Sequence, residues 1–126
     1  MATRQVLAIE HDWRMRRLIQ ANLEALGLEV RGAVSGQHSL HLLNEDTPDL
    51  ILLDADLPDI EVSLLLDHLQ AQLSGQVPII IMCAEPPSRR LRQDRYAVSY
   101  LLKPFAIPAL LQQTRQALDG MPVDDR

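Results

Sequence analysis

The sequence holds one cysteine, five glycines and four aromatic residues among 126. A single cysteine closes no internal disulfide, so nothing points to secretion into an oxidising compartment. Trp13, Tyr96, Tyr100 and Phe105 are too few to build a stacking platform for single-stranded nucleic acid. Twelve basic residues against seventeen acidic ones leave a net charge of −5. That balance is a poor basis for neutralising phosphates, so direct nucleic-acid binding is not expected. No apolar run approaches the ~20 residues that span a bilayer. Met1-Ala2-Thr3-Arg4 lacks the apolar region of a signal peptide and leads straight into a strand-like run. A cytoplasmic protein with no membrane contact is the default expectation. What is present is 47% apolar residues in a chain of one-domain length, enough for a real core.

The apolar residues fall into short runs separated by helical patterns. Val6 to Ile9 is a buried strand, too short for a helix. Asp12 caps a following helix whose apolar face carries Met15, Leu18, Ile19, Leu23 and Leu26, with Gly27 placed to end it. Leu28 to Val34 contains a second, less buried strand, fit for a sheet edge. Ser35 caps a short helix with Leu40, Leu42 and Leu43, stopped by Thr47-Pro48. Leu50 to Leu53 is the third strand, and a proline-containing loop covers Ala55 to Ile60. Val62 to Leu73 is a leucine-rich helix closed by Ser74-Gly75. Val77 to Met82 is the fourth strand. Ser88 to Arg95 is at most a short basic helix, and Ser99 to Leu102 is the fifth strand. Pro108 sits in the first turn of a last helix ending at Gly120. Strands alternating with helices predict a parallel sheet covered on both faces by right-handed crossovers. No repeat or second domain is evident.

Each polar or reactive group of interest follows one of these apolar runs. Glu10 comes after the first strand, Asp54 after the third, Cys83 after the fourth, and Lys103 with Pro104 after the fifth. Open α/β sheets bind ligands at the carboxyl ends of their strands, so these residues mark the candidate site.

The order and spacing of Val6-Leu7-Ala8-Ile9-Glu10, Pro48-Asp49-Leu50-Ile51-Leu52-Leu53-Asp54, Leu57-Pro58, Val77-Pro78-Ile79-Ile80-Ile81 and Tyr100-Leu101-Leu102-Lys103-Pro104-Phe105 resemble the receiver domain of bacterial response regulators, over roughly residues 5 to 119. The resemblance implies a flavodoxin-like α/β fold of five βα units with strand order 2-1-3-4-5. It makes residues 1–120 the receiver and 121–126 a polar tail or the start of a linker, fitting a stand-alone receiver or the front of a longer protein. It implies phosphoryl transfer from a sensor histidine kinase to Asp54, with Lys103 neutralising charge on the phosphoryl oxygens. In receivers the peptide bond between that lysine and its proline is often cis. Mg²⁺ would be held by Glu10, Asp54, the backbone carbonyl of Asp56 and the residue at position 11. Tyr100 matches the family's switch aromatic. A homodimer through the last two helices, or another protein partner, is also implied. Such a domain is a signalling module and not an enzyme.

Several positions depart from the pattern. The acidic pair reads Glu10-His11, and imidazole is a poor ligand for Mg²⁺. Strand register prevents Asp12 from simply replacing His11. Cys83 stands where the family has a threonine or serine hydroxyl, a much better donor than a thiol. Glu61-Val62 replaces a common Asp-Gly pair, and Tyr96 replaces a glycine before Ala97. Weak Mg²⁺ binding and poor phosphorylation are expected in consequence. The alternative reading is a degenerate receiver that binds partners without phosphorylation.

Simpler readings compete at each residue. Asp54 is alternatively a solvated strand-end carboxylate, and Glu10 an ion-pair partner of Lys103 under either reading. Glu10, His11 and Asp54 are a weak signal for Zn²⁺ or Mn²⁺. Cys83 is either a small buried hydrophobe or, if Lys103 lowers its pKa, a redox sensor. Tyr100 is alternatively an ordinary half-buried edge tyrosine. Trp13 lies over the site entrance or packs on the first helix. Arg89, Arg90, Arg92 and Arg95 form a solvated face or a partner patch. A haloacid-dehalogenase-like phosphatase built on Asp54-Ala55-Asp56 is disfavoured because its pair belongs after the first strand. Flavin binding is disfavoured because Glu10-His11-Asp12 would repel a phosphate.

Overall fold

The computed structural model describes residues 3–87, 89 and 97–120. Five parallel strands, β1 (Gln5–Ile9), β2 (Glu29–Ala33), β3 (Leu50–Asp54), β4 (Ile79–Cys83) and β5 (Ala97–Leu102), form one sheet in the order β2-β1-β3-β4-β5. Among the described residues four helices accompany it: α1 (Trp13–Glu24), α2 (Gly36–Leu43), α3 (Val62–Leu73) and α4 (Ile107–Asp119). The short basic helix expected over Ser88 to Arg95, the full arginine cluster, Tyr96 and the polar tail lie outside the described residues.

Alternation along the buried strands builds two cores. Leu7, Ile9, Ile51, Leu53, Ile79 and Ile81 point to the face covered by α2 and α3, with Leu43, Leu65, Leu66 and Leu69 packed on them. Val6, Ala8, Leu50, Leu52, Ile80 and Met82 point to the opposite face, with Ile19 and Leu23 of α1 and Leu110 of α4. Every residue of β3 and β4 is buried. Apolar residues on both faces of a strand are what a parallel sheet requires, which is why these runs do not alternate with polar residues.

Capping fixes the helix starts. Asp12 Oδ1 accepts from Arg14 N at 2.9 Å, Ser35 Oγ from His38 N at 3.0 Å, and Glu61 Oε2 from Leu64 N at 3.2 Å. Glu61, noted in the sequence only as a departure, thus has a local task as the cap of α3. α4 starts with proline in its first turn and ends on Gly120 in the left-handed region, φ 65°.

Several boundaries and faces differ from expectation. β4 begins at Ile79, because Pro78 has no N–H to donate; its carbonyl still accepts from Ile51 N at 3.0 Å. β4 also extends to include Cys83, and β3 to include Asp54. β5 starts at Ala97 and not Ser99, and a register shift opposite Ile79 and Ile80 interrupts its pairing with β4. α1 stops at Glu24, so Gly27 (φ 86°) closes a turn in which Leu28 N reaches back to Leu23 O. Leu18 is exposed; the buried stripe of α1 runs through Ile19 and Leu23, with Met15 and Leu26 beside it. β2 is an edge strand as its polar positions suggested. No described helix is long and apolar enough to cross a membrane.

Candidate functional site

The chain enters the sheet at β1, goes to β2 on one side, then returns to β3 on the other. This reversal opens a crevice beyond the carboxyl ends of β1 and β3. Glu10 follows β1 and Asp54 ends β3, and both are fully buried. The sheet pairs Ile9 with Leu53, which sets the two acids side by side one residue further on. Glu10 N continues the ladder by donating to Ala33 O at 3.0 Å.

Lys103, reached through a cis Lys103–Pro104 peptide bond, brings the compensating charge. Its Nζ lies 2.6 Å from Glu10 Oε1 and 3.4 Å from Asp54 Oδ1. His11 stands on the other side of the acids. Its Nδ1 is 3.0 Å from Asp54 Oδ2 and 3.7 Å from Glu10 Oε2. The two carboxylates are therefore gripped between an ammonium and an imidazole, each facing different oxygens. Backbone amides complete the grip: Asp56 N donates to Asp54 Oδ1 at 2.9 Å, and Asp12 N to Glu10 Oε2 at 3.1 Å.

These contacts set the titration of the cluster. Burial pushes the Glu10 carboxyl up, and proximity to Asp54 adds to this against the pull of Lys103. Burial also acts to raise Asp54, but the Asp56 amide, Glu10, Lys103 and His11 outweigh it and hold the acid below its ordinary value. Burial would lower Lys103, yet Glu10 and Asp54 raise it, so it stays an ammonium. Asp54 is thus not the solvated strand-end carboxylate of the simpler reading. The ion pair between Glu10 and Lys103 is present.

Cys83 ends β4 beside this cluster, and its carbonyl accepts from Lys103 N at 2.7 Å. It packs with Ile79 and Ile81 in the core under α2 and α3, and its hydrogen bond to Ile81 O is long at 4.0 Å. Burial and the charges of Asp56 and Asp54 raise its pKa against the opposing effect of Lys103. That direction runs against the lysine-lowered thiol a redox sensor would need, and the burial suits a small hydrophobe. Tyr100 is half-buried on the edge strand β5 against the same core. Trp13 is 56% exposed in the first turn of α1, with the Arg14 guanidinium 5.4 Å from its ring centroid.

Asp56, considered in the sequence for its carbonyl, uses its side chain as well: Oδ2 accepts from Ala84 N at 3.3 Å, joining the β3–α3 loop to the end of β4. Two supports were missed. Arg16 Nη1 donates to Glu10 O at 2.7 Å, its stem passing so close to Gly32 that a Cβ there would lie 2.9 Å from Arg16 Cδ. Asp59 accepts from Gly36 N and Gln37 N, both at 3.0 Å, tying the β3–α3 loop to the start of α2. The bare side of β2 at Gly32 was the only sequence signal for the first; a Pro-Asp pair in the loop was a faint one for the second.

Glu10, His11 and Asp54 offer donor atoms that all lie within 4.8 Å of one another. Sheet order and the position of the acids define a flavodoxin-like domain. Within that class the chain belongs to the response regulator receiver domain family of two-component signalling, which it matches over residues 6–115. The transcriptional regulatory protein KdpE of Mycobacterium tuberculosis (strain CDC 1551 / Oshkosh) is 31% identical over 115 residues, covering 90% of this chain and 50% of that protein. The receiver domain of a Francisella response regulator is 25% identical with a TM-score of 0.83, over 94% of this chain and 98% of that one. A CheY-like receiver domain protein from Methanospirillum hungatei reaches a TM-score of 0.87 at 23% identity, over 94% and 96% of the two chains. The chain spans about half the length of the curated relatives it matches.

Proposed function

We propose that Asp54 is the phosphoacceptor of this receiver, taking the group from a phosphohistidine on a sensor kinase. A carboxylate oxygen of Asp54 forms the new P–O bond, the P–N bond of the donor breaks, and the departing imidazole keeps the electron pair and recovers a proton from solvent. The observation that carries this reading is the placement of Asp54, a fully buried acid at the sheet's crevice, with Lys103 Nζ 3.4 Å away and the Asp56 amide donating to it. Those contacts hold its pKa below the ordinary value, which favours the carboxylate form that a nucleophile needs. Lys103 Nζ is placed to offset charge spreading over the phosphoryl oxygens. The kinase as partner, and Tyr100 as the residue that reports the state of the site, belong to the same reading.

Receivers ordinarily use Mg²⁺, and the donor set does not fit it. Glu10 and Asp54 supply the hard oxygens that ion prefers, as would the Asp56 carbonyl. The third side-chain donor is an imidazole nitrogen, which suits Mg²⁺ poorly. Weak Mg²⁺ binding and slow phosphorylation in Mg²⁺ follow.

Acetyl phosphate labelling followed by intact-mass measurement tests the assignment. The expected result is slow addition of one phosphoryl group, abolished in Asp54→Asn. Labelling that survives Asp54→Asn, or none under any divalent ion, would end the assignment.

A further inference from the structure

We infer that Glu10 Oε2, His11 Nδ1 and Asp54 Oδ2 form a site for a first-row transition ion of the Zn²⁺ or Co²⁺ kind, in preference to Mg²⁺. The inference deepens the proposed function and rests on it for its consequence, that the ion present sets how readily Asp54 is phosphorylated; binding itself is argued from geometry.

The first argument is charge. Glu10 and Asp54 are both fully buried, and Lys103 supplies one ammonium between them. Two carboxylates against one ammonium leave an excess of buried negative charge, which the Arg16 guanidinium at the Glu10 carbonyl offsets in part and a bound cation would offset further. The second is where the open oxygens face. Lys103 holds Oε1 and Oδ1, while Oε2 and Oδ2 are turned toward His11. Oε2 spends one interaction on Asp12 N and keeps another free for a ligand.

The third is spacing. Donors about 2.1 Å from an ion stand about 3.0 Å apart at a right angle and about 3.4 Å apart at the tetrahedral angle. The imidazole nitrogen lies 3.0 Å from the Asp54 oxygen and 3.7 Å from the Glu10 oxygen. All three donors lie within 4.8 Å of one another, so side-chain rotation has to close the remaining gap onto one ion. His11 keeps 47% of its side chain exposed, which gives the ion a path in and leaves room for water ligands. The donor type then decides identity. One imidazole with two carboxylates suits zinc, cobalt and manganese, and affinity at such sites rises from manganese through cobalt. Asp12 does not supply a hard-oxygen alternative, because its carboxylate caps α1.

The test is calorimetric titration of the full chain with Zn²⁺, Co²⁺ and Mg²⁺ salts, each alone and with no phosphodonor, beside the histidine ring NMR signals. We expect Zn²⁺ and Co²⁺ to bind at least about tenfold more tightly than Mg²⁺. Co²⁺ should broaden the His11 ring signals before those of His38, His41 and His68. His11→Ala should weaken Zn²⁺ by about tenfold or more, and His11→Asp should shift the preference toward Mg²⁺. His11 is on the surface, so both variants are expected to fold, and the NMR readout needs neither. Mg²⁺ binding as tight as Zn²⁺, or Zn²⁺ binding unchanged in His11→Ala, would overturn the inference. Because no phosphodonor is present, failure of Asp54 to accept a phosphoryl group leaves this result standing. Conversely, rapid Asp54 labelling with tight Mg²⁺ binding would remove the ion preference while upholding the phosphoacceptor.

Discussion

At the scale of single residues, the balance between Lys103 and two buried acids governs the site. Lys103→Met removes the ammonium and leaves Glu10 and Asp54 facing each other with little solvent. A loss of about 2–3 kcal/mol is expected at neutral pH, below the ~3–5 kcal/mol of a fully buried pair because Lys103 keeps 20% of its side chain in water. The pKa of Lys103 is raised above 10.5 in the folded protein. Its contribution is therefore complete below 10.5 and fades as pH rises through the raised value. Glu10, also raised, takes up a proton before Asp54 as pH falls, so the penalty for Lys103→Met should shrink on the acid side. Urea midpoints of both proteins across the pH range give the comparison, and a penalty that stays constant into acid would contradict it. The acids and the lysine were legible in the sequence because each follows an apolar run, and run ends become strand ends. Arg16 was not. Its value lies in crossing to Glu10 O over Gly32, a contact between α1 and β2 that no local pattern announces.

At the scale of elements, the start of α2 meets the β3–α3 loop in two ways. Asp59 accepts from two of the amides that a helix leaves unpaired in its first turn. Burial acts to raise this carboxyl, but the Gln37 and Gly36 amides outweigh it, so its pKa lies below the ordinary 3.8. Asp59→Ala should cost about 0.5–1 kcal/mol, as for a lost helix cap. A lowered folded pKa gives stability that is present above 3.8 and disappears as pH falls through the lower folded value. The difference between the two proteins should thus hold steady near neutrality and close only in strong acid; a difference that closes near neutrality would exclude this origin. Gly36 makes the second contact. A Cβ built there would overlap Ile60 Cγ2 and come within 3.4 Å of Leu65 Cδ2. Gly36→Ala should destabilise by about 1–3 kcal/mol despite alanine's better helix propensity. A neutral or positive shift in thermal midpoint would mean that Ile60 moves aside freely. The sequence placed α2 correctly through Ser35 but read Gly36 as nothing special, since the neighbour that needs the space is Ile60, twenty-four positions away.

At the scale of the whole molecule, the sheet order follows from which strands can be buried on both faces. β3 and β4 are buried along their whole length and lie inside; β2, with Glu29 and Arg31, lies at an edge. This much was readable from composition run by run. Strand ends were less readable, because Pro78 and the register shift in β5 displace them by one or two residues. Leu52, central and fully buried, should cost about 3 kcal/mol when replaced by alanine, with one cooperative denaturant transition retained. A cost under about 1 kcal/mol would imply that the core collapses around the gap.

The loop that follows Asp54 is fastened three times within six residues: Asp56 N to Asp54, Asp56 Oδ2 to Ala84 N, and Asp59 to the first turn of α2. A segment so short and so often tied behaves as a bracket and not as a spring. Extra bulk on the Asp54 carboxylate has little slack to consume locally. Its displacement is handed on to whichever fastening yields first, toward α2 on one side or the end of β4 on the other. If Asp54 is modified as proposed, the relative strength of those two ties would set the direction in which the strain leaves the site.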